Sequence, residues 1–457
     1  MRYDVAVVGA GPAGLAAAVT AARAGCQVVL LEAAPQFGGQ FWRHRGEPGA
    51  HHRPWVGLAA LRAELLARKV AYAVDAAVWF VERVDAGYRL LVTGREPVVA
   101  PRLIIATGTY DRVLPFPGWD LPGVLTPAAA QALHLAGVAP GGRVVIAGAG
   151  PYLLSVAANL LAAGVEVAGV YEAGDPRRYA RRPGAVVAGK LAEAAGYVAW
   201  LARHRVPYRT RHAVVAARGT AAVTSVEVAK LDRRGRPVPG SRRVVACDAL
   251  AVGYGFTPRL ELPLALGCAT RLDVDGNLVL DVDIAGRTSV PGVYAAGEVT
   301  GVGGTELALI EGRLVGAVVS GASGRPNPFT ELELTRMLNR RASYRRLAHL
   351  AHAAHAPPAE WMSWLEPRTV VCRCEEVSAG QIQAAVTDLG ATEPRTVAGL
   401  CGAGMGWCQG RICGYATATL TAHLCGRALT SADLLPFARR PIATPVTLDE
   451  LARSPLK

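Results

Sequence analysis

The residues with the clearest capacity for chemistry are four cysteines in two close pairs, Cys372-x-Cys374 and Cys408-x4-Cys413. Thiolates bind metals, and four of them can hold a structural zinc ion or a [2Fe-2S] cluster. Zinc pairs usually leave about two to four residues between cysteines. The single residue between Cys372 and Cys374 is unusual for zinc, so the cluster is the preferred reading and zinc the alternative. Gly404, Gly406, Gly410 and Gly414 would aim backbone N–H groups at the sulfurs, and Arg373 and Arg411 add positive charge. Of the nine cysteines, six fall between 372 and 425, a clustering that points to metal and away from disulfides. Cys26, Cys247 and Cys268 lie among apolar residues and read as core thiols, and Cys401 and Cys425 as packing thiols.

A second chemistry lies at the start of the chain. Gly9-Ala-Gly-Pro-Ala-Gly14 follows an apolar strand pattern and opens a helix. Gly9 suits the tight turn, Gly11 lets backbone approach a pyrophosphate, and Gly14 lets helix and strand pack closely. The helix N-terminus faces the phosphates. Glu32 ends the next strand pattern, where its carboxylate can accept bonds from a ribose. Phe37-Gly-Gly-Gln40 follows: Gly39 allows backbone to pass close to a flat ligand, and Gln40 can hydrogen-bond it. Ala106-Thr107-Gly108 closes a buried strand at a glycine turn. Late in the chain Ala295-Ala-Gly-Glu298 runs from a strand into a glycine-rich loop. Two nucleotide-type units and that late loop suggest a flavoprotein, with backbone near Gly297 facing the isoalloxazine and Glu298 facing the ribityl chain. No C-x-x-C and no evident Ser-His-Asp set is present. His134, His204, His349, His352 and His355 read as surface or helix residues.

These motifs need elements to hold them. Helical periodicity covers 58–70, and alternating apolar residues over 71–99 suggest a small meander. Pro115, Pro117 and Pro122 mark an extended crossover. A second strand–turn–helix unit carries Gly148 and Gly150 but has Leu153 at the third glycine position, where its bulk would push helix from strand. That unit keeps the fold signal and puts NAD(P) in doubt. Its second strand ends at Glu172, and 175–182 reads as a basic linker. A helix from about Thr305 precedes a linker at 324–328 and a basic amphipathic helix over 331–352, read as a solvated or partner-packed face. The expected fold class is α/β. It has two Rossmann-like domains of the thioredoxin-reductase/glutathione-reductase kind and a small helical [2Fe-2S] domain. The expected boundaries are 1–125 with 265–325 for the first nucleotide domain, 126–264 for the second, 326–366 for a helical linker and 367–457 for the cluster domain.

At 457 residues, with 51% hydrophobic residues and 51 glycines, the chain can hold several domains rich in tight turns. The net charge of +13 comes from scattered arginines without an aromatic-studded basic stripe, so nucleic-acid binding is not expected. An acidic partner or an anionic membrane surface is a secondary expectation. The apolar N-terminus is better explained by the nucleotide turn than by a signal peptide. No uncharged run of about 20 apolar residues occurs. A cytoplasmic location is expected, with peripheral membrane contact as its variant.

Taken together, Gly9–Gly14, Phe37–Gln40, Ala106–Gly108, Leu114-Pro-Phe-Pro-Gly-Trp119, Gly253-Tyr-Gly-Phe256 and Ala295–Glu298 resemble the two-dinucleotide-domain flavoproteins. Gly404-Met-Gly-Trp-Cys-Gln-Gly-Arg-Ile-Cys413 resembles the bacterioferritin-associated-ferredoxin-like [2Fe-2S] domain. The order of the two is similar to the larger flavin subunit of heteromeric amino-acid dehydrogenases, a group that includes opine oxidase, dye-linked L-proline dehydrogenase, D-hydroxyproline dehydrogenase and hydrogen cyanide synthase. The resemblance covers almost the whole chain. It implies FAD in the first domain, a cluster on Cys372, Cys374, Cys408 and Cys413, and a smaller partner like D-amino-acid oxidase that holds its own flavin. It also implies FMN at the subunit interface in some relatives and room for a further small ferredoxin-like subunit. Electrons would pass from the partner's flavin towards a quinone or other acceptor. The rival readings are a stand-alone NAD(P)H-dependent reductase and a non-catalytic iron–sulfur binding protein.

Overall fold

The apolar run Val5–Val8 forms a fully buried strand, and Pro12 begins the helix Pro12–Arg23 at the position where a missing N–H leaves no bond unmade. A computed structural model of the chain describes residues 3–43, 55–181 and 188–454. Val5–Val8 is the centre of a five-stranded parallel sheet. Val28–Leu31 and Ala71–Ala73 lie on one side, Leu103–Ile105 and Val293–Ala295 on the other. The late strand puts the Ala-Ala-Gly-Glu loop beside the opening glycine turn, although the whole second domain lies between them in sequence. Ala71–Ala73 belongs to this sheet, not to the meander expected over 71–99. The meander is Val78–Val84, Gly87–Val92 and Val98–Ala100, all antiparallel.

The helix Thr305–Ala322 packs on Pro12–Arg23 through small residues. A Cβ on Gly312 would lie 2.2 Å from the Ala13 carbonyl oxygen and one on Gly316 2.6 Å from that of Ala17. A larger side chain at either position would force the two helices apart.

The second sheet repeats the pattern in the order Tyr208–Thr210, Glu166–Glu172, Arg143–Gly148, Ala249–Gly253, Val124–Leu125, again all parallel. Val124–Leu125 pairs here, whereas the expected boundary assigns it to the first domain. An antiparallel three-stranded layer, His212–Arg218, Ser225–Lys230 and Arg243–Ala246, covers one face. The segment expected to be a basic linker contains a short 3-10 helix, Pro176–Arg181.

The 24-residue helix Glu331–Ala354 begins with a Thr330/Glu333 capping box. The expected amphipathic face is absent. Only Ala348, Leu350 and Ala354 are buried, so the helix packs by its C-terminal turns. Beyond it, a small two-stranded ladder and the helices Ala379–Thr387, Pro394–Cys401, Gly414–Leu424 and Ser431–Ala438 form the last unit. Its core is continuous with both nucleotide domains. Cys372, Cys413 and Ile382 share a core with Trp119, Tyr254 and Trp364, while Leu434, Phe437 and Ala443 pack with the meander strands and Leu278–Leu280. Among the described residues, no helix is long and apolar enough to cross a membrane.

Candidate functional site

The opening turn is shaped as its glycines require. Gly9 has φ +100°, and a Cβ on Gly14 would stand 1.8 Å from the Gly9 carbonyl oxygen. No other residue type allows that approach of helix to strand. The strand-end Glu32 is buried. Its carboxylate accepts the backbone N–H of Ala10 at 2.6 Å and of Ala34 at 2.9 Å, so acid and turn form one unit.

These residues open on a cavity of about 2000 Å³. Gly9, Gly11, Pro12, Ala13, Glu32, Gly39, Gln40, Ala106, Thr107, Gly108, Gly297 and Glu298 all line it, and its wall runs on into the second nucleotide domain at Tyr152 and Tyr179. Gly14 lies beneath the turn and does not line the cavity. The Gln40 side-chain oxygen accepts a bond from Arg43 at 2.6 Å. Thr107 Oγ1 donates to the Arg259 carbonyl at 2.8 Å. Glu298 accepts from Thr109 Oγ1 at 3.0 Å and from the Gly304 N–H. Burial is the largest influence on its carboxyl and raises its pKa, against the lowering effect of those two donors. The cavity is large, and backbone and small side chains at the glycine turn meet aromatic walls at Trp42, Tyr110, Tyr152 and Phe256. That shape suits a long dinucleotide.

The loop bearing Gly297 and Glu298 is pinned from the linker helix. The Gly297 N–H donates to Glu311 at 3.1 Å. Arg345 donates to Glu311 at 2.6 and 3.0 Å, to Thr300 Oγ1 at 2.6 Å and to the Gly301 carbonyl at 2.9 Å. In the sequence Arg345 reads as one charge of a solvated face. Its partner lies 34 positions away, and no local pattern reveals it.

The second unit differs where Leu153 replaces glycine. Its helix starts at Tyr152, one position later than the equivalent Pro12, and Leu153 is buried in the domain core. Glu172 accepts from the N–H groups of Gly150 at 3.0 Å and Gly174 at 2.7 Å. His355 Nδ1 lies 3.1 Å from the same carboxylate. His355, expected at the surface, is therefore buried against the acid that would bind a ribose. Tyr179 stands beside it with ring centroids 5.7 Å apart.

The four cysteines meet as a chain of thiol contacts. Cys372 touches Cys413, Cys413 touches Cys408, and Cys408 touches Cys374. A bond from the Cys413 thiol, helped by the N–H groups of Gly404, Glu375 and Cys374, brings Cys372 down to about 6. The Cys413 thiol and the N–H groups of Ile412 and Gly410 bring Cys408 down to about 5. Donation to those two sulfurs holds Cys413 protonated, and burial raises Cys374. The donor set is thus all thiol, with the Cys372 and Cys408 sulfurs the most readily deprotonated, and metal binding would displace the remaining protons. Among the described residues no group of three or more His, Cys, Asp or Glu side chains surrounds a single-ion position.

Two of the four glycines expected to serve the sulfurs do so, Gly404 and Gly410. Gly414 instead makes room for Phe437, which a Cβ there would meet at 2.7 Å. A Cβ on Gly406 would lie 2.4 Å from that of Cys374. The two arginines expected to supply local positive charge are docking residues. Arg373 stacks 3.9 Å from the Trp119 ring centre, and Arg411 donates to Glu261 at 2.6 Å and to Tyr110 Oη at 2.9 Å. No sequence pattern singles out Glu261, Tyr110 or Arg440, because each acts across a fold-level contact.

This fold and site have known relatives. Residues 3–324 match the pyridine nucleotide-disulphide oxidoreductase family and residues 370–422 the BFD-like [2Fe-2S] binding domain. The first match implies FAD and the second a [2Fe-2S] cluster. An opine oxidase subunit of Agrobacterium tumefaciens is 33% identical, over 99% of this chain and 92% of its own length. Hydrogen cyanide synthase subunit HcnB of Pseudomonas aeruginosa is 33% identical, over 91% and 92%. L-proline dehydrogenase from P. horikoshii shares the fold, with a TM-score of 0.73 at 20% identity, covering 99% of this chain and 80% of that one.

Proposed function

The chain belongs to the pyridine nucleotide-disulphide oxidoreductase family, and we propose that it is the FAD- and [2Fe-2S]-carrying subunit of a heteromeric amino- or imino-acid dehydrogenase. One observation carries this reading. A four-thiol loop is packed through Arg411 against Tyr110 and Glu261, both of which line the cavity that begins at the opening glycine turn.

In this reading Gly9, Gly11, Pro12 and Ala13 hold the pyrophosphate and Glu32 the adenosine ribose. Gly14 holds the helix in place. Gly39, Gln40 and Ala106–Gly108 border the flavin ring, and Gly297 and Glu298 meet the ribityl chain. Cys372, Cys374, Cys408 and Cys413 hold the cluster. When bound, FAD exchanges one or two electrons and the cluster one at a time, which lets the pair join a two-electron oxidation to a one-electron carrier. The protein's own task is to orient these groups. Thr109 and Gly304 fix the Glu298 carboxylate, and Arg345 fixes the loop that carries it.

The substrate would be oxidised on a smaller partner resembling D-amino-acid oxidase, with its own flavin. FMN at the interface, a small ferredoxin-like third component, and a quinone acceptor at a membrane surface extend the same reading. An opine, glycine, proline or hydroxyproline is the substrate class that the relatives' names and the family point to. Purification from the native operon should yield a second flavin-bearing chain, together with dye reduction by one of these amino acids. A chain that arrives alone and without flavin overturns the proposal. A stand-alone NAD(P)H reductase is disfavoured, since Leu153 stands at the third glycine position and the His355 ring lies 3.1 Å from the Glu172 carboxylate. Rapid NADH turnover by the isolated chain would restore it.

A further inference from the structure

Arg411 lies inside the cluster loop, between Cys408 and Cys413. Its guanidinium joins that loop to the cavity wall in a closed contact. Nε donates to Glu261 Oε1 at 2.6 Å and to Tyr110 Oη at 2.9 Å, Nη1 donates to the Cys408 carbonyl at 3.3 Å, and Nη2 donates to the Ala443 carbonyl. Tyr110 Oη in turn donates to Glu261 Oε1 at 3.0 Å. The side chains of Arg411 and Glu261 are 13% and 9% exposed, so water screens the pair poorly. Arg259 covers a face of Tyr110, 4.6 Å from its ring centre. Arg440 donates to the Gln409 carbonyl in the same loop, and its buried Nε has no partner among the described residues. Three cations and one carboxylate therefore crowd the boundary between the four thiols and the cavity. Among these groups Glu261 alone is negative; the Glu375 carboxylate lies elsewhere in the thiol loop, against Gly406.

We infer that the Arg411–Glu261 pair, anchored on Tyr110, sets the reduction potential of the cluster and is the electrostatic contact between cluster and flavin cavity. The inference rests on the cofactor reading above. A cluster becomes more negative on reduction, so an unpaired cation beside it favours the reduced form and an unpaired anion the oxidised form. Glu261→Gln leaves Arg411 unpaired, and Arg411→Gln leaves Glu261 unpaired. The two variants must move the potential in opposite directions.

The test is an EPR-monitored dithionite titration of the purified holo-complex, with iron content measured for each variant. Glu261→Gln should raise the potential and Arg411→Gln lower it. Each shift should be about tenfold in the oxidised-to-reduced ratio at fixed poise, about 59 mV for a one-electron couple. The double variant should return close to wild type. Arg411→Lys keeps the charge and gives up the planar fork, so it should leave the potential unshifted. Shifts of the same sign, or no shift with full iron content, overturn the inference. If a single variant loses iron, the double variant and Arg411→Lys decide it: a displaced potential in both assigns the pair a purely structural role. Wild-type protein without a flavin band or a cluster signal would instead remove the cofactor reading itself.

Discussion

Single residues carry the chemistry, and their roles separate by substitution. Cys374→Ser should lower the iron content of the purified protein sharply, because it removes one of four ligands. Cys401→Ser should leave it unchanged, since its sulfur donates to the Val397 carbonyl of its own helix at 3.1 Å. Equal iron loss in both would remove Cys401 from the packing thiols. At the opening turn, Gly14→Ala places a methyl group 1.8 Å from the Gly9 carbonyl oxygen. Strand and helix must then part, costing about 1–3 kcal/mol by denaturant titration, with loss of flavin on gel filtration.

Elements position those residues. Arg345 joins the linker helix to the glycine loop through its bonds to Glu311, Thr300 and the Gly301 carbonyl, and Glu311 in turn holds the Gly297 N–H. Arg345→Ala should cost about 1.5–3 kcal/mol and weaken flavin retention, read by thermal unfolding followed at the flavin band. The helix Ser431–Ala438 carries Phe437 onto the cluster loop, and Asp433 caps its first turn. Two bonds from Arg427, at 2.7 and 2.8 Å, hold the Asp433 carboxyl below its ordinary 3.8, with Thr430 assisting. A lowered carboxyl stabilises the fold above pH 3.8, and that contribution fades as pH falls through the folded-state value. Asp433→Asn should therefore cost about 1–2 kcal/mol at neutral pH, and the difference should shrink in acid, measured by urea midpoints at both.

At the scale of the whole molecule, the cluster domain is not an appendage. Its cysteines share a core with Trp119, Trp361 and Trp364, and Arg373 stacks on Trp119. Removing iron with a chelator should perturb tryptophan fluorescence and lower the melting temperature of the second nucleotide domain with it. Trp119→Phe should diminish the fluorescence change. An unaltered melting profile would show that the domains are energetically separate. The second Rossmann-like domain is integrated in the same way, because the acid at its strand end is met by His355 at the end of the helix Glu331–Ala354.

Much of this is legible in the chain because it is set by local chemistry. Gly9, Gly14 and Glu32 stand at fixed offsets along one strand–turn–helix, so spacing alone exposes the turn. Cys372, Cys374, Cys408 and Cys413 have no local structural use that explains them better than metal. Contacts across domains leave no such trace. Arg345 with Glu311 and Arg411 with Glu261 join residues 34 and 150 positions apart, and His355 meets Glu172 across the whole of the intervening domain. Arg345 and His355 also lie on or beside a helix that reads as solvent-facing charge. The two nucleotide units, the thiol loop and the burial of Leu153 at the second turn follow from side-chain size or donor type within a few residues, and so are written in the chain. The docking of the thiol loop by Arg373 on Trp119 and by Arg411 on Glu261 exists only once the domains have folded together, because the strength of a charge depends on which partner is buried beside it.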